Sequence, residues 1–131
     1  MKKNIEYYQN GEKIIKAGSE EKKMYIILDG HVMITLGEGA ERLVVANLKK
    51  GDFFGEISIF HDTPRSANAI AQGNVKVVYI NNEKDLKAFL LKNPSFAAKM
   101  VMILASGLAK TDELLMGKVS ELKRARLMRD Y

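Results

Sequence analysis

The apolar pattern of this chain changes its period near residue 80. From residue 11 to residue 80, short apolar runs alternate with segments rich in Gly, Asp and Asn, whereas apolar residues recur at helical spacing afterwards. Many short strands with turns at intervals of about 8–12 residues are typical of a β-sandwich, a jelly roll or a barrel. The sequence therefore predicts a mainly β region followed by helices.

Turn residues bound the individual strands. Asp29-Gly30 lies between two apolar runs and favours a type I′ turn, so we expect a hairpin with strands at 24–28 and 31–36. Phe53 and Phe54 are expected in the core. The remaining predicted elements are, in chain order, a turn at 37–41, a strand at 43–48, a turn at 49–52, a single helical turn at 56–60, and strands at 66–71 and 75–80 on either side of QGN.

Two helices are predicted after the strands. Asn81-Asn82, with Asp85 placed to return a capping contact, suits the start of a short helix over about 83–92. Asn93-Pro94 predicts the start of a longer helix over about 94–129, because Pro lacks an N–H that the first helical turn does not use.

An apolar stripe runs along the longer helix. Its members follow alternating gaps of three and four residues, the spacing of a coiled-coil seam: Val101, Leu104, Leu108, Thr111, Leu115, Lys118, Leu122 and Ala125. A second copy of the same helix is the simplest partner for this stripe, and closed two-fold dimers are the commonest oligomers. The sequence therefore predicts a homodimer through residues 94–129. A single helix folded back on its own domain is the alternative.

Length and composition exclude several classes of protein. With 131 residues, 47% hydrophobic and 28% charged, the chain suits one domain over residues 1–131. It has no secretory signal, and no apolar run approaches the length of about 20 residues that is needed to span a bilayer. We therefore expect a cytoplasmic protein without a membrane partner. The absence of Cys excludes thiolate zinc sites and cysteine nucleophiles, and His31 and His61 are too few for most histidine metal sites. We expect no metal, no cofactor and no catalysis.

The net charge of +5 is concentrated at the end of the chain. Residues 118–131 hold five basic and two acidic residues, and therefore +3 of the +5. Basic residues near the C-terminal end of a helix interact favourably with its dipole. We therefore interpret this segment as a solvated helix end, and we do not expect DNA binding by this chain alone.

Segment 51–69 is mostly small and apolar, and besides the turn and loop residues Asp52 and Asp62 its charges are Glu56 and Arg65. Glu56 stands nine residues before Arg65, and Gly55 allows the backbone a tight turn or a close approach. The arginine fork suits a phosphate because it bonds two oxygens together, whereas a carboxylate accepts from a hydroxyl such as a ribose 2′-OH. The two charges suit the two polar ends of a nucleotide sugar-phosphate. For an isolated pair, the arrangement with Glu56 bonded to a lysine and Arg65 on the surface of a loop is the better interpretation.

The segment FGEISIF-HDTP-RSANAI at 54–70 resembles the phosphate-binding cassette of cyclic-nucleotide-binding domains. That pattern is Phe-Gly-Glu, two small or apolar pairs, a short loop, then Arg followed by a small residue and Ala. Residues 10–34 are similar to the opening strands of the family, and the final helices to its hinge and C-terminal helices. The resemblance implies a double-stranded β-helix jelly-roll barrel over about 8–80 that holds a cyclic nucleotide. Residues 54–70 are called the cassette below.

The resemblance also implies a role for each site residue. Glu56 accepts from the ribose 2′-OH, and Arg65 clamps the cyclic phosphate. The residues whose backbone N–H groups line the phosphate are Gly55, Ile57, Ser58, Ser66 and Ala67. The Ser66 hydroxyl reaches phosphate or base, and Thr111 matches by position a base-contacting threonine on the dimer helix of bacterial catabolite activators of this family. A threonine tolerated in a helix–helix seam is an equal interpretation of Thr111.

The resemblance implies a non-catalytic regulatory module that binds cyclic AMP, which is favoured, or cyclic GMP, and moves its C-terminal helix or dimer seam. One alternative is a ligand-free interaction module of the same fold. Another is a fragment of a transcription regulator, because the chain stops where a helix-turn-helix domain begins in the activators. A metal-dependent cupin needs about three histidines and a carboxylate, and a redox or haem sensor lacks its ligands here, so both are disfavoured.

Overall fold

Six antiparallel strands form the framework of the chain. They are seen in a computed structural model that describes residues 4–62 and 64–106. The strands are β1 (Ile5–Tyr8), β2 (Lys13–Ile15), β3 (Met24–Leu36), β4 (Leu43–Leu48), β5 (Phe53–Phe54) and β6 (Asn68–Ile80). The helices are α1 (Ile57–Phe60), α2 (Glu83–Lys92) and α3 (Pro94–Ser106), and a 3-10 turn covers Gly39–Glu41. The predicted mainly β region followed by helices is confirmed.

The long strands β3 and β6 lie at the centre of the sheet. They pair antiparallel from Met24 opposite Ile80 to Thr35 opposite Asn68. The strand order is β1-β6-β3-β4, with β2 also paired to β6 and β5 to β3. Among the described residues no ladder joins β1 to β4, so the hydrogen-bonded sheet does not close into a ring.

The predicted hairpin at Asp29-Gly30 is wrong. Residues 24–36 form one continuous strand, and its pairing with β6 shifts register on both sides of Asp29. The two strands predicted on either side of QGN are likewise one strand, β6. A glycine segment inside a strand marks a bulge as readily as a turn. The two irregular segments lie opposite each other, so both long strands continue through them.

The core lies inside the sheet and contains few polar side chains. Its buried residues alternate along β3 and β6, with further contributions from β2 and β5: Ile14, Ile15, Tyr25, Ile27, Val32, Phe54, Ala69, Ala71, Val75 and Val77. The rings of Tyr25 and Phe54 stack with centroids 5.2 Å apart. The expectation that Phe53 and Phe54 are buried is confirmed. The stacked pair fixes β5, and with it the start of the cassette.

Helix α2 covers the predicted residues and uses the predicted cap. The Asp85 N–H donates to Asn82 Oδ1 over 2.8 Å, and the Asn82 side-chain amide donates to the Asp85 carboxylate over 3.3 Å. The two side chains thus hold each other at the start of the helix. The return contact goes to the side chain of Asn82 rather than to its backbone.

Helix α3 begins at Pro94 as predicted. The Asn93 side-chain amide donates to the Phe89 carbonyl over 2.8 Å, which ties the start of α3 to the end of α2. The rings of Phe89 and Phe96 meet edge to face with centroids 5.5 Å apart. Residues 107–129 of the predicted helix, and most of its stripe, lie outside the described residues.

The described residues fall into two compact units, one ending at Lys87 and the other beginning at Ala88. The expectation of a single domain over 1–131 stays a prediction.

Membrane association was tested by the length and apolarity of the helices. Within residues 4–62 and 64–106, no single helix has the length and apolarity to span a bilayer; α2 and α3 meet that criterion only when they are joined across a bend. The cytoplasmic location stays a prediction.

Candidate functional site

One cavity gathers the residues that the sequence singled out. Its volume is about 520 Å³, and both arms of the cassette line it; the first arm is residues 54–60 and the second arm is residues 64–70. The predicted site residues on its wall are Gly55, Glu56, Ile57, Ser58, Arg65, Ser66 and Ala67. The remaining predicted residue, Thr111, lies outside the described part of the chain.

Gly55 allows the first arm of the cassette to approach the second. Its φ is +80°, a left-handed conformation that side chains other than Gly rarely adopt. A Cβ atom added there lies 2.8 Å from Arg65 Nη1, 2.9 Å from the Lys23 carbonyl oxygen and 3.2 Å from Ile15 Cδ1. The glycine therefore serves both the turn and the close packing around the arginine.

Two backbone carbonyls hold the Arg65 guanidinium. Nη1 donates to the Gly55 carbonyl over 3.0 Å, and Nη2 donates to the Lys23 carbonyl. Nε is shielded from solvent and has no hydrogen-bond partner within the described residues. Arginine carries five N–H donors, so the side chain is anchored while donors remain.

Burial lowers the pKa of Arg65, because a guanidinium loses hydration inside the protein. Three negative or polar neighbours act in the opposite direction, in decreasing order Tyr25, Glu21 and Glu56. The shift leaves the guanidinium charged at neutral pH, since an arginine pKa starts above about 12. The wall of the cavity therefore carries a positive charge that is held in place and half-buried.

Glu56 provides the negative charge of the cavity. It directly precedes α1, yet its side chain makes no capping bond to that helix. Within the described residues it forms no ion pair with Arg65 or with a lysine. The interpretation in which Glu56 pairs with a lysine is thus not what the described residues adopt. The cavity holds one carboxylate and one guanidinium that do not neutralise each other directly.

Ser58 closes the first arm of the cassette. Its side chain is buried, and its Oγ lies 2.9 Å from the Gly55 carbonyl and 3.2 Å from the Lys23 carbonyl. The hydroxyl thus binds the same two carbonyls as Arg65. Helix α1, residues 57–60, confirms the predicted single helical turn.

The loop between β2 and β3, residues 16–23, is fastened to the second arm. The Gly18 N–H donates to the Arg65 carbonyl over 2.7 Å, and the Arg65 N–H donates to the Ser19 carbonyl over 2.8 Å. The Lys22 ammonium pairs with the Asp62 carboxylate and lowers the pKa of that carboxyl by hydrogen bonding and charge. The two backbone bonds fix the main chain of Arg65, and the ion pair adds a side-chain link between the same loop and the cassette.

Sequence reasoning missed part of the cavity wall. The additional lining residues are Ile15, Ile34, Phe53, Phe54, Pro64, Asn68 and Ala69. Among them Asn68 is 2% exposed, and its Oδ1 accepts the Ala17 N–H over 2.8 Å. Nothing in the local sequence distinguishes this asparagine from a turn residue, because its partner lies 51 positions away. No cluster of three His, Cys, Asp or Glu suited to a metal ion occurs within residues 4–62 and 64–106.

A known protein family matches more than half of the chain. The model of the cyclic nucleotide-binding domain matches residues 5–93. The chain is 36% identical over 83 residues to the cAMP-dependent protein kinase type II regulatory subunit of Drosophila melanogaster, an alignment that covers 63% of this chain and 21% of that protein. It is 39% identical over 72 residues to cGMP-dependent protein kinase 2 of Homo sapiens, covering 53% of this chain and 9% of that protein. The chain therefore spans less than a quarter of the length of either relative.

The fold is also found in a solved structure. The crystal structure of Thermus thermophilus catabolite activator protein superimposes with a TM-score of 0.72 at 24% identity, covering 95% of this chain and 64% of that one. This likeness concerns the fold, and it confirms the predicted mainly β jelly-roll architecture with C-terminal helices.

The family match and the cavity concern the same residues. Residues 5–93 cover more than half of the chain and include every residue on the cavity wall. This chain belongs to the cyclic nucleotide-binding domain family.

Proposed function

We propose that the chain binds a cyclic purine nucleotide, with cyclic AMP favoured over cyclic GMP, as a non-catalytic regulatory module. The observation that carries the proposal is that one cavity wall holds an anchored guanidinium, Arg65, and a carboxylate, Glu56, that has no capping bond or ion pair among the described residues. The cavity volume of about 520 Å³ lies within the range of small-molecule sites, about 300–1,000 Å³.

Arg65 is the phosphate contact in this proposal. Two of its donors already bind carbonyls, so its position does not depend on the ligand. Its Nε has no partner among the described residues, and an unsatisfied buried donor costs about 1–3 kcal/mol. A phosphate oxygen that reaches Nε relieves that cost. Backbone N–H groups of Gly55, Ile57, Ser58, Ser66 and Ala67 are the additional phosphate donors.

Glu56 is the ribose contact. A carboxylate only accepts hydrogen bonds, and the ribose 2′-OH is the donor on a cyclic nucleotide whose 3′ and 5′ oxygens are esterified. Since no capping bond or ion pair occupies Glu56 among the described residues, its acceptor capacity is available. The carboxylate and the guanidinium then contact opposite polar ends of one ligand.

The residues of the cavity specify the base of the ligand less closely than its phosphate and ribose. Ser66 is exposed at the cavity, and a hydroxyl both donates and accepts, so it suits adenine and guanine alike. The two relatives differ in the same respect, since one is named for cyclic AMP and the other for cyclic GMP. We favour cyclic AMP, and a direct comparison of the affinities for the two nucleotides tests this preference.

The proposed output is a movement of α3 or of a dimer seam on binding. Val101 and Leu104, which belong to the predicted stripe, are 66% and 40% exposed in the single chain. Apolar side chains of this exposure favour a partner, and a second copy of α3 provides one. We further propose that the homodimer acts in the cytoplasm, with Thr111 at the nucleotide or in the seam.

Isothermal titration calorimetry with cyclic AMP and cyclic GMP tests the proposal. Wild type is expected to bind at least one nucleotide, and Arg65→Ala to bind it about 30-fold more weakly or worse, because the lost charge contact typically contributes about 2–5 kcal/mol. Arg65→Lys keeps the charge but loses the fork, so an intermediate affinity is expected. Arg42→Ala removes an exposed arginine outside the cavity and is the matched control.

The titration also separates the alternatives. Wild type that binds neither nucleotide at millimolar concentration, while remaining folded by circular dichroism, contradicts the proposal. That outcome favours the ligand-free interaction module instead.

A further inference from the structure

Lys23 connects three parts of the first unit through its side chain. Its ammonium lies 3.3 Å from Glu21 Oε1, 3.8 Å from Glu6 Oε2 on β1, and 4.4 Å from the centre of the Tyr79 ring on β6. The side chain is only 26% exposed. Two carboxylates and an aromatic face thus fix a residue that directly precedes β3.

The backbone carbonyl of the same residue points to the cassette. It accepts from Arg65 Nη2 and from Ser58 Oγ, the latter over 3.2 Å. The packing around this oxygen is tight, since a Cβ atom added to Gly55 would lie only 2.9 Å from it. A shift of the Lys23 backbone therefore moves an acceptor that the guanidinium depends on.

We propose that Lys23 is a positioning residue for Arg65, and this inference rests on the proposed function of the cavity. Lys23 does not line the cavity, so it acts on the ligand only through the arginine. Its ammonium fixes the loop end, and its carbonyl then holds the guanidinium at the wall. The contacts of the Lys23 ammonium thus reach the Arg65 guanidinium through the carbonyl of Lys23 itself. The two residues lie 42 positions apart in the chain.

Glu21 gives Lys23 a second effect on Arg65. The Glu21 carboxylate accepts from the Tyr25 hydroxyl over 3.2 Å and also acts on Arg65 by charge. Among the ion pairs of residues 4–62 and 64–106, Lys23 is the cation that meets Glu21, and it partly neutralises that carboxylate. Without that ammonium, Glu21 attracts the guanidinium more strongly and competes with an anion in the cavity.

The test compares Lys23→Met with Lys23→Arg and with Lys50→Met. The methionine keeps the length of the side chain and removes its charge, the arginine retains a cation, and Lys50→Met changes the net charge equally at an exposed turn. Titration of cyclic AMP and cyclic GMP gives the affinities. The Nε–H resonance of Arg65, assigned by its loss in Arg65→Lys, reports the guanidinium in the ligand-free protein.

We expect Lys23→Met to bind about three- to fivefold more weakly, the scale of a partly exposed ion pair. Its Arg65 Nε–H signal should shift and exchange faster with water, whereas Lys23→Arg and Lys50→Met retain both properties of wild type. An unchanged Arg65 signal and affinity in Lys23→Met overturn the inference. If wild type binds neither nucleotide, the proposed function fails, but the ligand-free Arg65 signal still decides whether Lys23 positions the arginine.

Discussion

Arg65 donates from Nη1 to the backbone carbonyl of Gly55 over 3.0 Å, and so the two arms of the cassette bind each other directly. Ser58 Oγ lies 2.9 Å from the same carbonyl. The residue proposed to contact the phosphate is therefore also a structural part of the cassette. A change in the shape of the first arm therefore also changes the position of the guanidinium.

Replacement of Gly55 by Ala should weaken nucleotide binding by about tenfold or more. The left-handed backbone costs an alanine about 1–2 kcal/mol, and the new Cβ lies 2.8 Å from Arg65 Nη1, so the guanidinium must move. Calorimetry measures the affinity and urea unfolding the stability.

Gly11→Ala is the matched control for this change. Gly11 has a φ of +86° but no atom within 4 Å of an added Cβ, so its variant loses stability through backbone strain alone. Equal affinities of the Gly55 and Gly11 variants contradict the role assigned to Gly55.

Glu56→Gln should weaken binding about tenfold or more for a ligand with a 2′-OH. Hydrogen bonds to charged groups contribute about 1.5–3 kcal/mol, and the amide presents only one acceptor oxygen. For the 2′-deoxy nucleotide the substitution should have little effect, because the donor is absent. Glu83→Gln, on exposed α2, is the control. Equal losses with both nucleotides show that Glu56 does not contact the 2′-OH.

Local signals in the sequence predicted the helices more accurately than the strands. Asn82 with Asp85, and Asn93 with Pro94, specify helix starts through chemistry within four residues, and both starts are found. Asp29-Gly30 has an equally local signal for a hairpin, but whether the chain turns or continues depends on β6. That strand lies about 40 positions further along, so the residues at Asp29-Gly30 alone do not determine whether the chain turns.

The cavity was predicted unevenly for a related reason. Glu56 and Arg65 were identified because their side-chain chemistry is specific. The carbonyls of Lys23 and Gly55 that hold the arginine were not, since every residue type offers a carbonyl and only the fold decides which one is near. Asn68 was missed because its partner, the Ala17 N–H, also belongs to the backbone.

The proposed dimer predicts different effects for two neighbouring substitutions on α3. Leu104 belongs to the predicted stripe, whereas Met102 does not, although Met102 is the more exposed at 71% against 40%. Leu104→Glu should therefore give a monomer by light scattering at tens of micromolar, because a charge in an apolar seam loses hydration. Met102→Glu should leave the dimer intact. A monomeric wild type, with and without nucleotide, contradicts the dimer.

Tyr25 should make the stability of the protein decrease at alkaline pH. Its side chain is 1% exposed, and burial together with the charge of Glu21 raises the pKa of the phenol above its ordinary value of 10.0. The folded state therefore keeps Tyr25 neutral at a pH where the unfolded chain ionises it. Stability from this group is complete below pH 10 and falls as the pH rises towards the raised folded pKa, by about 1.4 kcal/mol per pH unit.

Urea unfolding of wild type, Tyr25→Phe and Tyr7→Phe between pH 7 and pH 11 measures this effect. At pH 7, Tyr25→Phe should be less stable than wild type by about 0.5–1.5 kcal/mol, because the hydrogen bond to Glu21 is lost. The difference should narrow and then reverse above pH 10, since phenylalanine does not ionise. Tyr7→Phe changes a tyrosine that is 72% exposed and keeps Tyr25, so the stability of this control should still fall above pH 10. If the difference in stability between wild type and Tyr25→Phe stays constant across this range, Tyr25 ionises equally in the folded and unfolded states. That result contradicts the raised pKa of Tyr25 in the folded protein.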